Sequence, residues 1–164
     1  LWAAGVRASP LGSAMGVELD SIGRVPVEAD LSVPGHPEVF VAGDLAHFPS
    51  DKGALPSIAP VALQQGHHVG RLILASLAGE ARKPFVYLDK GQMATIGRSR
   101  AVVESGSMRL TGFVAWLTWL VIHIYYLSGF RNRLFVLLQW AWSYVTFGRG
   151  ARLILDHNEK ESER

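Results

Sequence analysis

Val39-Phe-Val-Ala-Gly-Asp-Leu-Ala-His-Phe48 is the stretch on which the reading of this chain turns. Apolar and small residues run into Gly43-Asp44 and then into turn-forming positions, the pattern of a short buried strand in a parallel sheet. Ligands of such sheets gather beyond the carboxyl ends of the strands. An Asp at that point is placed to accept hydrogen bonds from a cofactor. Taken alone, Gly-Asp is more simply a turn in which Asp44 caps the next few residues. The residues downstream decide between the two.

From Ala54 to Gly79 the sequence predicts a loop and then a helix. Ser57 is a candidate N-cap, Pro60 suits the first turn, and Gly79 suits the position just past the end. Val61, Val69, Leu72, Ile73 and Leu77 are expected to share its apolar face. A strand ending in Asp, a loop and a helix N-terminus together make a polar trap for an electron-rich ligand.

Upstream the chain is less informative. The opening Leu1-Trp-Ala-Ala-Gly-Val has neither an initiator Met nor a charged leader, and it reads as a strand entered in mid-domain, so the chain is expected to be a piece of a longer protein. Ser9 to Pro37 is rich in Gly, Pro and Ser, with short alternating pieces that predict brief strands and turns. Asp20 and Asp30 are read there as turn residues.

Composition narrows the chemistry. In 164 residues the net charge is only +2, which gives no footprint for nucleic acid. There is no cysteine, which excludes disulfides, thiolate metal sites and iron–sulfur clusters within this chain. Redox chemistry here requires a bound organic cofactor. The six histidines are scattered, and the adjacent His67 and His68 point to different sides of their helix, so no metal site is expected.

Two strands, Pro84 to Gly91 and Met93 to Val103, are predicted as a β-hairpin turning near Lys90-Gly91. The last third then changes character. Leu110 to Phe130 carries no formally charged residue, and Leu134 to Phe147 is a second apolar run; Trp and Tyr stud both. Between Arg109 and Arg152 there are five Arg and no Asp or Glu. Basic and aromatic residues together suit the headgroup boundary of a bilayer. The first run is long enough to cross a hydrocarbon core of about 30 Å and the second is not. Surface binding is favoured over spanning, and a buried helix pair explains the Arg pattern poorly. The division expected is 1–80, a cofactor-domain part; 81–108, the hairpin; 109–152, membrane-associating helices; and 153–164, a polar, disordered tail.

Several of these segments carry a family resemblance. Phe-Val-Ala-Gly-Asp-Leu-Ala resembles the second FAD motif of flavoprotein reductases with two dinucleotide-binding domains. Ala59-Pro-Val-Ala-Leu-Gln-Gln65 is similar to the Ala-Gln-x-Ala-x-Gln-Gln motif of type II NADH:quinone oxidoreductases. Gly91-Gln-Met-Ala-Thr-Ile-Gly-Arg98 and the Trp-rich tail resemble the C-terminal half of that family, and Leu1 to Val6 its Trp-Ala-Ala-Gly turn. The likeness runs from about Leu1 to about Leu155.

The resemblance implies an α/β fold: the C-terminal part of a Rossmann-like flavoprotein, a β-hairpin, and a helical membrane-binding tail. It implies electron transfer from NADH through FAD to a membrane quinone, without proton pumping, at the cytoplasmic face of a bacterial inner membrane. A homodimer is left open. Gly5, Gly43, Asp44, Ala59, Pro60 and Val61 are the implied cofactor contacts, and Gln64 and Gln65 the implied quinone-facing residues. One departure stands out. The first Gln of the motif is Pro60 here, which has neither an amide side chain nor a backbone donor. The two Gly-x-Gly-x-x-Gly units of the family are absent and would lie upstream. The alternatives are a non-catalytic membrane-anchoring module and a quinone reductase using another donor such as sulfide.

Overall fold

The computed structural model describes residues 7–51, 53–127 and 129–146. The Leu1–Val6 turn with Gly5, the end of the second apolar run from 147, and the polar tail lie outside the described residues. The chain forms two compact units, Leu1–Lys90 and Gly91–Arg164.

The first unit is assembled from very short strands and one long helix. After a 3-10 turn at Pro10–Met15 come β1 (Val25–Pro26), β2 (Ser32–Val33) and β3 (His36–Phe40). A second 3-10 turn at Gly43–Leu45 leads to β4 (Ala46–His47), β5 (Pro49–Ser50), β6 (Gly53–Ala54) and helix α1 (Ala59–Leu77). β1 and β4 pair in parallel, while β2–β3 and β5–β6 are antiparallel.

This corrects the expected strand. The paired strand stops at Phe40, its pairing with β2 is antiparallel, and residues 36–38 are exposed. The reason is local: Pro34-Gly35, with Gly35 at φ 78°, folds β3 straight back on β2. The parallel pairing appears only after Gly43, at Ala46 and His47. The apolar residues still reach a core, in which Val25, Leu31 and Val33 are at most 1% exposed and Val27, Val41, Ala46 and Phe85 are buried beside them. Each of the valines, Leu31 and Phe85 contributes about 1.5–3 kcal/mol. Leu31 makes this contribution from a left-handed backbone, φ 70°, which costs about 1 kcal/mol or more.

Helix α1 begins one residue later than Ser57 suggested. Ile58 is the N-cap, and its carbonyl accepts from both Val61 N–H and Ala62 N–H. Pro60 sits in the first turn as expected. At the other end Gly79 adopts φ 75°, with Gly79 N–H donating to Ser76 O and Glu80 N–H to Ala75 O, a Schellman stop. The buried face runs through Val61, Gln65 and Leu72, with Val69 half-buried on the core; Ile73 and Leu77, expected on it, are exposed.

Residues 84–90 are not the first strand of a hairpin. Phe85 N–H donates to Ala29 O at 2.7 Å, and the Phe85 ring meets Phe48 edge-on at 5.3 Å, so this segment serves the core of the first unit.

The second unit is an antiparallel meander of β7 (Gln92–Gly97), β8 (Arg100–Ser105) and β9 (Met108–Thr111), followed by α2 (Gly112–Tyr126) and α3 (Phe130–Thr146). The hairpin turn lies at Arg98-Ser99 rather than Lys90-Gly91, and Gly106, φ 57°, makes a second turn. The third strand takes Arg109 to Thr111 out of the expected helical tail. Ala101 and Val103 from β8 and Ala115 from α2 form the core, flanked by Met93, Leu110, Trp116 and Trp119. Leu127 is extended and Gly129 has φ 77°, so the first apolar run breaks before Phe130. At 15 and 17 residues, α2 and α3 are about 22 and 25 Å long, short of a hydrocarbon core. No helix among the described residues is long and apolar enough to cross a membrane.

Candidate functional site

The centre of the first unit is the seating of the Gly43-Asp44 turn on α1. Ala42 is extended, and at Gly43 the backbone swings to φ 73°, a conformation that strains any residue with a Cβ. A Cβ there would also lie 3.3 Å from the Ala62 Cβ. Gly43 N–H donates to Gln65 Oε1 at 2.7 Å, and Gln65 is only 1% exposed. A buried side-chain amide from the helix therefore satisfies the first N–H of the 3-10 turn. Asp44 follows with its carboxylate exposed, in no hydrogen bond or ion pair among the described residues.

The predicted site residues separate into two groups around this joint. Gly43, Asp44 and the first turn of α1 are brought together. Ala59, Ala62 and Gly66, with Leu63 and His67, line a shallow concavity of about 420 Å³ in which small side chains admit close approach of a ligand. Val61 faces the other way, 3% exposed, into the core. Pro60 has no N–H, and the next two N–H groups already donate to Ile58 O. The helix start thus offers its dipole and a small-residue surface rather than a row of free amides.

Gln64 and Gln65 point in different directions, as neighbours on a helix must. Gln64 Nε2 donates to Leu88 O at 3.0 Å, and its Oε1 accepts from Leu88 N–H at 3.0 Å. The amide thus mimics a peptide group and pins residues 84–90 along α1. The second pin is His68, whose Nε2 lies 3.0 Å from Lys83 O. Both glutamine amides of the motif are engaged within the chain.

A further cluster, which the sequence marks only as a turn, stabilises β4 just beyond Asp44. Asp20 accepts from Ile22 N–H, Arg24 N–H and Arg24 Nε, and its Oδ2 lies 2.8 Å from His47 Nδ1. Burial pushes the Asp20 carboxyl up, but the His47 and Arg24 bonds, with the Ile22 N–H, outweigh it and hold it well below the usual carboxylate range. Asp30 behaves alike. Burial raises it, while the Ser32 hydroxyl and N–H and the Arg82 guanidinium bring it below its ordinary value. No sequence signal marks this cluster, because Asp20 and His47 are 27 positions apart.

In the second unit α2 and α3 carry many exposed apolar residues, among them Phe113, Leu117, Val121, Phe135, Leu138 and Trp142.

Comparison with known proteins agrees with this division. Residues 1–66 match the family described as pyridine nucleotide-disulphide oxidoreductase, and residues 90–150 match the NDH2 C-terminal domain. Type II NADH:quinone oxidoreductase Ndh of Mycobacterium tuberculosis is 44% identical over 163 residues, covering 95% of this chain and 34% of that protein. NdhA of the same organism is 41% identical over 182 residues, covering 99% of this chain and 38% of the relative. The mitochondrial internal alternative NAD(P)H-ubiquinone oxidoreductase A1 of Arabidopsis thaliana is 30% identical over 168 residues, 91% of this chain and 33% of its own length. The chain spans about a third of the length of the curated relatives it matches. Two successive stretches of the chain thus match reductase-family parts, and over nearly its whole length the chain is similar to type II NADH:quinone oxidoreductases.

Proposed function

We propose that this chain provides the flavin-edge and membrane-facing portion of an enzyme that passes electrons from NADH to a membrane quinone without pumping protons. The observation that carries the proposal is the Gly43-Asp44 turn, braced by Gln65 against the small-residue start of α1. FAD, held at Gly43, Asp44 and the start of α1, would supply the capacity for hydride acceptance from NADH and electron transfer to quinone.

The residues present fit such a group. Asp44 is an exposed carboxylate at a turn whose backbone geometry is fixed, suited to accept hydrogen bonds from ribityl or sugar hydroxyls. Gly43 permits close approach. Ala59 and Pro60 present small, donor-free surface, and the positive end of the α1 dipole favours an electron-rich ring. Val61 supports from behind through the core. Gly5 is assigned the same close-approach role as Gly43, by resemblance alone.

For the quinone side, Gln64 is the proposed hydrogen-bonding residue, a role that requires its amide to exchange Leu88 for a quinone carbonyl. Gln65 acts through Gly43 as a positioning residue. Pro60, replacing the family's Gln, removes one amide from that surface. The exposed faces of α2 and α3 are the lipid-facing surface, with the cytoplasmic face of a bacterial inner membrane as its location.

Asp44→Ala in the protein expressed from its own gene tests the flavin edge. Losing a charge-assisted bond of about 1.5–3 kcal/mol should weaken flavin retention about 10- to 150-fold. Flavin content after gel filtration reads this directly. Full occupancy and an unchanged release rate would remove Asp44 from the site. A parent protein that binds vesicles and carries no flavin would instead establish the anchoring module.

A further inference from the structure

We propose that the second unit holds one anionic phospholipid in a groove between α2, α3 and the β7–β8 turn, its phosphate against Arg98 and an acyl chain among the tryptophans. The proposal rests on the membrane-surface reading above and adds to it a single lipid site with a charge preference.

The groove is built from side chains locked to one another. Trp119 stacks on Trp140 at 5.4 Å, and Trp116 meets Tyr144 at 5.5 Å, which joins the two helices by paired rings. Tyr144 is in turn fastened to the hairpin. Its hydroxyl lies 2.7 Å from Ser99 Oγ, and Arg98 places its guanidinium 4.4 Å from the ring centroid. Ser99 holds the turn at φ 57°. The open groove has a volume of about 620 Å³, within the ~300–1,000 Å³ of clefts that take a discrete molecule.

Charge and chemistry select the occupant. Arg98 is the one charged residue among those lining the groove, and Leu137 and the rings supply an almost wholly apolar wall. A ligand that fits it has a long apolar part and one anionic end, which would add to the contacts Arg98 already makes. Residues 91–146 carry five Arg and a single Glu, so the surrounding field also favours an anion. The groove opens among exposed apolar side chains of α2 and α3, and tryptophan and tyrosine are the residues that settle at headgroup level. A guanidinium stacked on an aromatic ring keeps its planar fork suited to a phosphate.

The test compares vesicles of phosphatidylcholine alone with vesicles that also contain phosphatidylglycerol, at salt high enough to screen diffuse attraction. The parent protein, expressed from its own gene, should prefer the anionic vesicles about fivefold, the worth of one basic group at such a surface. Arg98→Gln should abolish the preference and leave binding to neutral vesicles unchanged. Arg98→Lys should restore part of it, and Arg131→Gln, an exposed arginine away from the groove, should leave it intact. Ala141→Trp, which fills the groove with Arg98 in place, should lose the preference as Arg98→Gln does, and it decides the matter if Arg98→Gln fails to fold. An undiminished preference in Arg98→Gln or Ala141→Trp overturns the site while leaving surface binding standing. Equal loss in Arg131→Gln overturns it in favour of diffuse charge. A parent protein that binds neither vesicle overturns the membrane reading and the lipid site together.

Discussion

Gln65→Leu isolates the joint on which the proposed flavin edge depends. In the parent, Gln65 Oε1 takes the Gly43 N–H at 2.7 Å from a position that is 1% exposed. Leucine has similar bulk and joins a face already formed by Val61, Val69 and Leu72, so packing changes little. The acceptor is lost, and leaving that N–H unpaired costs about 1–3 kcal/mol. For a protein domain of 150–250 residues each kcal/mol moves the melting temperature by roughly 2–4 °C, which gives a fall of roughly 2–12 °C. Thermal unfolding followed by circular dichroism measures it. The turn should loosen as well, so flavin should leave faster than from the parent even well below the melting temperature. A variant that melts with the parent and releases flavin at the parent's rate would refute the claim that this bond fixes the turn.

Gly91→Ala should destabilise the second unit by at least about 2 kcal/mol: the residue sits at φ 90°, a left-handed backbone costs about 1 kcal/mol, and an added Cβ would run into the Glu104 carbonyl. A denaturant melt that leaves the midpoint unmoved would contradict this. Asp20, whose carboxyl is held below its usual value, contributes stability that is full above about pH 4 and drains away as pH falls through the folded value. The stability gap between parent and Asp20→Asn should therefore be large at pH 7 and narrow at pH 3; a gap that widens on acidification reverses the argument. Gln64→Leu should slow reoxidation of the reduced enzyme by quinone about five- to hundredfold while sparing reduction by NADH, read by stopped flow. Equal slowing of both halves would assign Gln64 to holding Leu88. Phe135→Glu with Leu138→Glu should cut binding to neutral vesicles more than tenfold with the sheet intact, because each removes about 2 kcal/mol of apolar burial from an exposed position; unaltered pelleting would place the membrane surface elsewhere.

Local signals in this sequence are sound where the determinants are themselves local. Gly79 ends α1 because only a few neighbouring amides and one left-handed residue are involved. The helix itself, and the turn at Gly43-Asp44, are legible for the same reason. Ser57 misleads by one position because the Ile58 carbonyl collects the first two helical N–H groups. Failures come where partners are distant. Phe85 and Tyr87 alternate as a strand does, yet their segment is bonded to Ala29 and to the Gln64 side chain, far back in the chain. The motif points Gln65 towards a quinone, although it lies four residues from both Val61 and Val69, in the middle of an apolar stripe that buries it. The third strand is hidden because Leu110 and Thr111 run without a charge into the apolar helix, and only Gly112 at φ 72° separates them.

The aromatic pairing of α2 with α3 also makes this molecule its own optical probe. Of five tryptophans, Trp116, Trp119, Trp140 and Trp142 lie on those two helices, and Trp2 is the remaining one. Intrinsic emission is therefore dominated by the second unit, whatever the state of the first. Trp142 is 71% exposed, while the Trp119–Trp140 stack is partly sheltered, so the emission contains a wet and a drier component. Transfer of the helices into a headgroup layer should shift the wet component to shorter wavelength, and water-soluble quenchers should lose access to it first. Unfolding of the cofactor edge alone should pass almost unseen in the same channel, so the two units can be followed separately in one unlabelled sample.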